Sequence, residues 1–111
     1  MMNESYLAVV ARNEDLQAGW ATEPYECAWA SEAIFCVRVL GASEASPPAS
    51  VRVQISPDGI HWADEGTVLD IPARESVVFA RLRHFGGWLR LVAHTQDGAK
   101  RRLICYLSLK G

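Results

Sequence analysis

The sequence has no apolar run of about 18 residues, no strong surplus of either charge and no stretch with a sustained helical period. The first absence removes a membrane-spanning helix. The second removes nucleic acid as a partner. Eleven Lys and Arg against 13 Asp and Glu leave a formal net charge of −2, too weak a field to hold phosphates. The third argues against an α-helical core. The opening residues Met1-Met2-Asn3-Glu4-Ser5-Tyr6 lack the basic-then-apolar form of a secretory signal, which fits a cytoplasmic or particle-associated protein.

Cysteine and histidine are scarce. Cys27, Cys36 and Cys105 are an odd number set among apolar neighbours, and they read as small buried hydrophobes in a reducing compartment. A Cys27–Cys36 bridge across adjacent strands is geometrically open but not specified by sequence. Their spacing does not match the Cys-x-x-Cys of structural zinc sites. His61, His84 and His94 are the only histidines and are mutually distant in sequence, so a metal site from Cys36, Cys105 and His94 is set aside.

Nucleophile and phosphate motifs are missing too. There is no Gly-x-Ser-x-Gly, and Phe85-Gly86-Gly87-Trp88 precedes a strand rather than a helix, so it offers no helix N-terminus to an anion. The carboxylates Asp58, Asp64, Glu65 and Asp70 fall on turn and loop stretches unsuited to paired acid–base work. Neither catalysis nor a cofactor is expected.

What is present is a set of short β-type runs. Half of the 111 residues are apolar and 22% are charged, enough for one domain, 1–111, with its own core. Val51, Val53 and Ile55 alternate with polar residues, then comes Ser56-Pro57-Asp58-Gly59, then Ile60 and Trp62. Pro57 presets φ, Asp58 can bond its own backbone and Gly59 tolerates positive φ, so the stretch is a β-hairpin. Its strands are Val51–Ile55 and Ile60–Glu65, and further strands are expected at Tyr6–Ala11, Tyr25–Trp29, Ala33–Leu40, Glu75–Leu82, Trp88–Thr95 and Lys100–Leu109. Ala33–Leu40 is apolar on both faces and reads as a central strand. Gly41–Ser50 and Gly66–Arg74 read as connections. Seven to eight short strands with regular turn signals make an all-β, antiparallel, jelly-roll-like sandwich.

The last two runs suggest a surface. If Asp97-Gly98 is a two-residue type I′ turn, Gln96 faces Ala99 and the runs pair as a hairpin. Leu89, Leu91 and Ala93 then share a face with Ile104 and Tyr106. The other face carries Trp88, Val92, Leu103, Cys105, Leu107 and Leu109, interrupted by Arg90, His94 and Arg101. A hairpin apolar on both sides needs cover, either from the N-terminal segment with Trp20 and Trp29 or from another copy of the chain. The candidate association surface is therefore Trp88, Arg90, Val92, Leu103, Cys105, Leu107 and Leu109. Asp58, His61 and Trp62 are candidate ligand contacts, with a glycan as the ligand class, although Trp62 after a tight turn also reads as a core plug. Arg81, Arg83, His84 and Arg90 form a locally basic group suited to solvent, or else to an acidic partner or an anionic glycan.

The segment Val51-Arg-Val-Gln-Ile-Ser-Pro-Asp-Gly-Ile-His-Trp62 with Gly87-Trp-Leu-Arg-Leu-Val92 resembles the latter half of discoidin-type, galactose-binding-like β-sandwich domains. A similar look recurs in small β-sandwich modules of phage-like particles. The resemblance implies a sandwich. Discoidin ligand loops lie in the unmatched earlier half, so it carries over no binding residue. The expectation is a non-enzymatic subunit acting by protein–protein association, a homo-oligomeric structural or accessory component of a larger, phage-like assembly, with a carbohydrate-binding module as the alternative.

Overall fold

The structure is a computed structural model that describes residues 5–43, 45–94 and 100–111. Eight strands run through them: β1 (Ser5–Leu16), β2 (Tyr25–Glu26), β3 (Glu32–Ala42), β4 (Ala49–Ser56), β5 (Ala63–Ile71), β6 (Ser76–Arg83), β7 (Trp88–Ala93) and β8 (Arg101–Lys110). Period-2 alternation decides which way each long strand faces. In β3 it buries Ala33, Phe35, Val37 and Val39, and in β8 it buries Leu103, Cys105, Leu107 and Leu109.

The strands form two four-stranded sheets, ordered β1-β8-β3-β6 and β2-β7-β4-β5, with every pairing antiparallel. Successive strands cross repeatedly from one sheet to the other, which is the winding of a jelly roll. The inward rows from β3 and β8 meet Val51 and Val53 of β4 and Leu89 and Leu91 of β7 in one core. Each such side chain contributes about 1.5–3 kcal/mol by leaving water. Thr22 closes one flank, its hydroxyl accepting a 3.0 Å bond from the Leu91 amide.

The all-β sandwich and the β4–β5 hairpin are as the sequence indicates, and the hairpin pairs Gln54 with Asp64 and Ile55 with Ala63. The 88–109 hairpin is not formed. β7 pairs with β2 and β4, whereas β8 pairs with β1 and β3 in the opposite sheet. The Asp97-Gly98 turn lies outside the described residues. A turn dipeptide between two apolar runs predicts a hairpin only when both runs share a sheet. Here β8 is more completely bonded as a central strand between the long β1 and β3.

Other boundaries move for local reasons. β1 continues past Ala11 to Leu16 by way of bulges after Val9 and Ala11, with Asn13 at φ 48°. The expected Tyr25–Trp29 strand shortens to Tyr25–Glu26. β5 begins at Ala63 rather than Ile60 and runs to Ile71, absorbing Gly66 at φ 116° where the sequence indicates a connection.

Candidate functional site

The outer face of the β1-β8-β3-β6 sheet is built of cross-strand rows. Val9, Tyr106, Cys36 and Phe79 lie side by side across all four strands. The next row toward one end is Leu7, Ser108, Ile34 and Arg81, and toward the other end Ile104, Arg38 and Val77. The inward alternation of β3, β6 and β8 forces these residues outward, and many are large and apolar. Leu7 is 62% exposed, Val77 60%, Phe79 51% and Ile34 37%. Arg81, Arg83, Arg38 and Lys110 rim this face, with Glu32 bound to Arg83 at 3.3 Å. An apolar centre with a charged rim is the composition of a protein contact surface.

The outer face of the other sheet is the reverse, a polar network closed on itself. Asp64 Oδ1 accepts from Gln54 Nε2 at 2.9 Å and from Arg52 Nε at 3.0 Å. These two bonds, Gln54 first, hold the Asp64 carboxyl below its ordinary range. Arg90 donates from Nε and Nη2 to Gln54 Oε1, at 2.9 and 2.7 Å. Its guanidinium lies 4.2 Å from the centroid of the Trp62 ring, a cation–π contact. Arg52 also donates to Ala93 O at 2.8 Å.

The loop between β4 and β5 folds over this network. Ser56 Oγ accepts from the amides of Asp58 (3.2 Å) and Gly59 (2.8 Å) and donates to Asp58 Oδ1 (3.0 Å). Asp58 Oδ1 accepts from the amides of Ile60 and His61, both at 2.8 Å, while Oδ2 lies 2.7 Å from His61 Nδ1. The His61 amide and ring, then the Ile60 amide, hold the Asp58 carboxyl well below its ordinary range. Gly59 has φ 80°, and a Cβ there would come within 3.1 Å of the Trp88 ring. A side chain at this position would therefore strain the turn and lift it off β7.

Serine, aspartate and histidine thus sit together, but not as a nucleophile and its base. The buried Ser56 hydroxyl spends its proton on Asp58 and its lone pairs on two amides, so it has none for His61. The group is a turn lock. Beside it an open cleft of about 540 Å³ is lined by Pro57, His61, Trp62, His84, Phe85 and Gly87 among others. Among the described residues no cluster of three His, Cys, Asp or Glu side chains is placed to hold a metal.

Of the candidate ligand contacts, Asp58 and His61 are brought together, while Trp62 lies half-buried beneath Arg90 rather than in the core. The candidate association surface is divided. Leu103, Cys105, Leu107 and Leu109 are in the core, because β8 presents that face to the other sheet. Trp88 lies against Gly59 of the loop, and Arg90 is bound to Gln54. Val92 is buried between its strand partners Ala21 and Arg52. Arg101, read as an interruption of that face, is buried too, donating to Ile71 O and Pro47 O.

The residues that do face outward, Ile104 and Tyr106, are those the hairpin register assigned to the opposite side. Leu7, Ile34, Val77 and Phe79 were missed. Their signal was present in β3, apolar on both faces, and in Val77-Val78-Phe79-Ala80, which does not alternate with polar residues.

The thiols divide the same way. Burial, reinforced by Glu26, pushes Cys27 up to about 11, and burial, with Glu14 and Cys36, pushes Cys105 up to about 12. Cys36 is half-buried on the outer face between Phe79 and Tyr106. All three are free, so no Cys27–Cys36 bridge is formed.

No curated protein sequence matches this chain. A solved structure of Bacillus endospore appendages, described as a novel family of disulfide-linked pili, is similar over 98% of this chain and 89% of that chain, at a TM-score of 0.48 and 14% sequence identity. A family model matches residues 33–107, from β3 into β8, and by that match the chain belongs to the DUF6385 family, a domain of unknown function.

Proposed function

We propose that this chain is a non-enzymatic jelly-roll subunit that works by protein association. It self-associates through the outer face of the β1-β8-β3-β6 sheet as a structural or accessory part of a larger assembly. The observation that carries this is the unbroken row Val9–Tyr106–Cys36–Phe79, flanked by exposed Leu7, Ile34 and Val77. Each large side chain left wet forgoes roughly 1.5–3 kcal/mol that a partner would return. The opposite outer face already satisfies its polar groups internally. A second copy is the commonest partner for such a face.

A glycan-binding reading has weaker support. Stacking on a sugar needs an open aromatic face, and one face of Trp62 is occupied by Arg90.

Light scattering on purified protein tests the proposal. The native chain at micromolar concentration should be larger than a monomer, and Leu7→Lys with Ile34→Lys should break the face contact and reduce its size while leaving the fold of each chain intact by circular dichroism, since both sites are exposed in the single chain. A native chain that stays monomeric would overturn it.

A further inference from the structure

Four strands lie at sheet edges, and three of them are poorly suited to pair with anything more. β1 carries two bulges and the left-handed Asn13, β5 is bulged against β4 and contains Gly66 at φ 116°, and β2 has only two residues. β6 differs. It pairs with β3 in one uninterrupted register from Val39↔Ser76 to Glu32↔Arg83 and contains neither Gly nor Pro. Among the described residues β3 is its only hydrogen-bonded neighbour. Its far side therefore presents a regular row of backbone N–H and C=O groups.

We infer that this edge pairs antiparallel with β6 of a second copy, about a two-fold axis through Val78, joining two β1-β8-β3-β6 sheets into one continuous sheet. The inference rests on the self-association reading and adds to it a contact distinct from the apolar face. The side chains favour that register. On the outer face Val77 meets Phe79 of the second copy and Glu75, immediately before the strand, meets Arg81. On the inner face Val78 meets itself and the small Ser76 meets Ala80. Neither Glu75 nor Arg81 has an ion pair among the described residues, whereas Arg83 is already held by Glu32. An axis through Phe79 would set Val77 against Arg81 and Ser76 against Leu82. An axis through Ala80 would set Val77 against Arg83. Of these registers only the one through Val78 sets Glu75 against Arg81 and Val77 against Phe79.

Two experiments separate this inference from the reading beneath it. By light scattering, Glu75→Arg or Arg81→Glu alone should weaken self-association about tenfold, because symmetry turns two cross-strand pairs from opposite to like charge. Combining the two substitutions should restore it. For the register, Val77→Cys and Phe79→Cys are made separately in a Cys36→Ser background. Mixed and oxidised, they should give a disulfide-linked heterodimer, and neither should cross-link efficiently alone, because bridging needs Cα atoms within about 7 Å. A native monomer overturns both proposals. An oligomer that Leu7→Lys with Ile34→Lys dissociates, but that ignores the charge exchange and forms no mixed disulfide, overturns the edge pairing alone. An oligomer that the charge exchange controls and Leu7→Lys with Ile34→Lys leaves intact overturns the face contact and supports the edge.

Discussion

Cys36 on β3 and Phe79 on β6 are cross-strand partners on the outer face of the β1-β8-β3-β6 sheet, and their neighbours Tyr106 and Val9 extend the same row to the far edge. This makes Cys36 a natural reporter of whatever covers that face. Cys27 and Cys105 are fully buried, with thiols pushed up to about 11 and about 12, so they are neither reachable nor ionised at neutral pH. A maleimide should therefore label one thiol per native chain and three after denaturation. If a second copy covers the face, labelling should slow as protein concentration rises. Rates independent of concentration would show Cys36 to be free of any contact between copies.

The loop lock gives a prediction in acid. The folded Asp58 carboxyl lies below its ordinary value of 3.8, mainly through the His61 amide and ring. A group depressed on folding stabilises the fold above its unfolded pKa and loses that contribution as pH falls toward the folded one. Native protein should melt above Asp58→Asn at neutral pH, and the gap should close as pH drops below 3.8. Asp64, also depressed, should behave in the same direction. Melting curves from neutral pH to strong acid check this, and a gap that widened in acid would remove the carboxylate from the account.

Trp62 is expected to matter for stability rather than for ligand binding. Its ring carries the Arg90 guanidinium, and Arg90 in turn holds Gln54, which holds Asp64. Trp62→Ala should lower unfolding free energy by about 1–2 kcal/mol, combining a cation–π contact with partial burial. Trp62→Phe should recover part of that loss. Urea denaturation reads both, and an unchanged midpoint in Trp62→Ala would mean the stack contributes nothing.

Strand identity was largely legible because side-chain alternation is a local property. Val51, Val53 and Ile55 announce β4, and Ser56, Pro57, Asp58 and Gly59 announce the loop that follows, each by chemistry acting over two or three residues. Pairing was not legible for β7 and β8. Whether two neighbouring runs share a sheet depends on contacts with β1 and β3, far away in sequence. The same non-local fact decides which side of β8 is wet. A period of two divides Leu103, Cys105, Leu107 and Leu109 from Ile104 and Tyr106 without saying which set is inside. Sequence reasoning therefore reached a surplus of apolar surface on β8 but placed it on the wrong parity.

That parity can be measured directly on two adjacent residues. Leu107 is fully buried against the opposing sheet, whereas Tyr106 points outward beside Cys36 and Val9. Leu107→Ala should cost about 2–5 kcal/mol, the transfer term plus the cavity it leaves. Tyr106→Ser should cost far less in an isolated chain but should weaken self-association, since it removes a central member of the outer row. Urea unfolding gives the first quantity and light scattering the second. If Tyr106→Ser proved the more destabilising and left association unchanged, the outer face would be assigned to the wrong side of β8, and the association reading would fall with it.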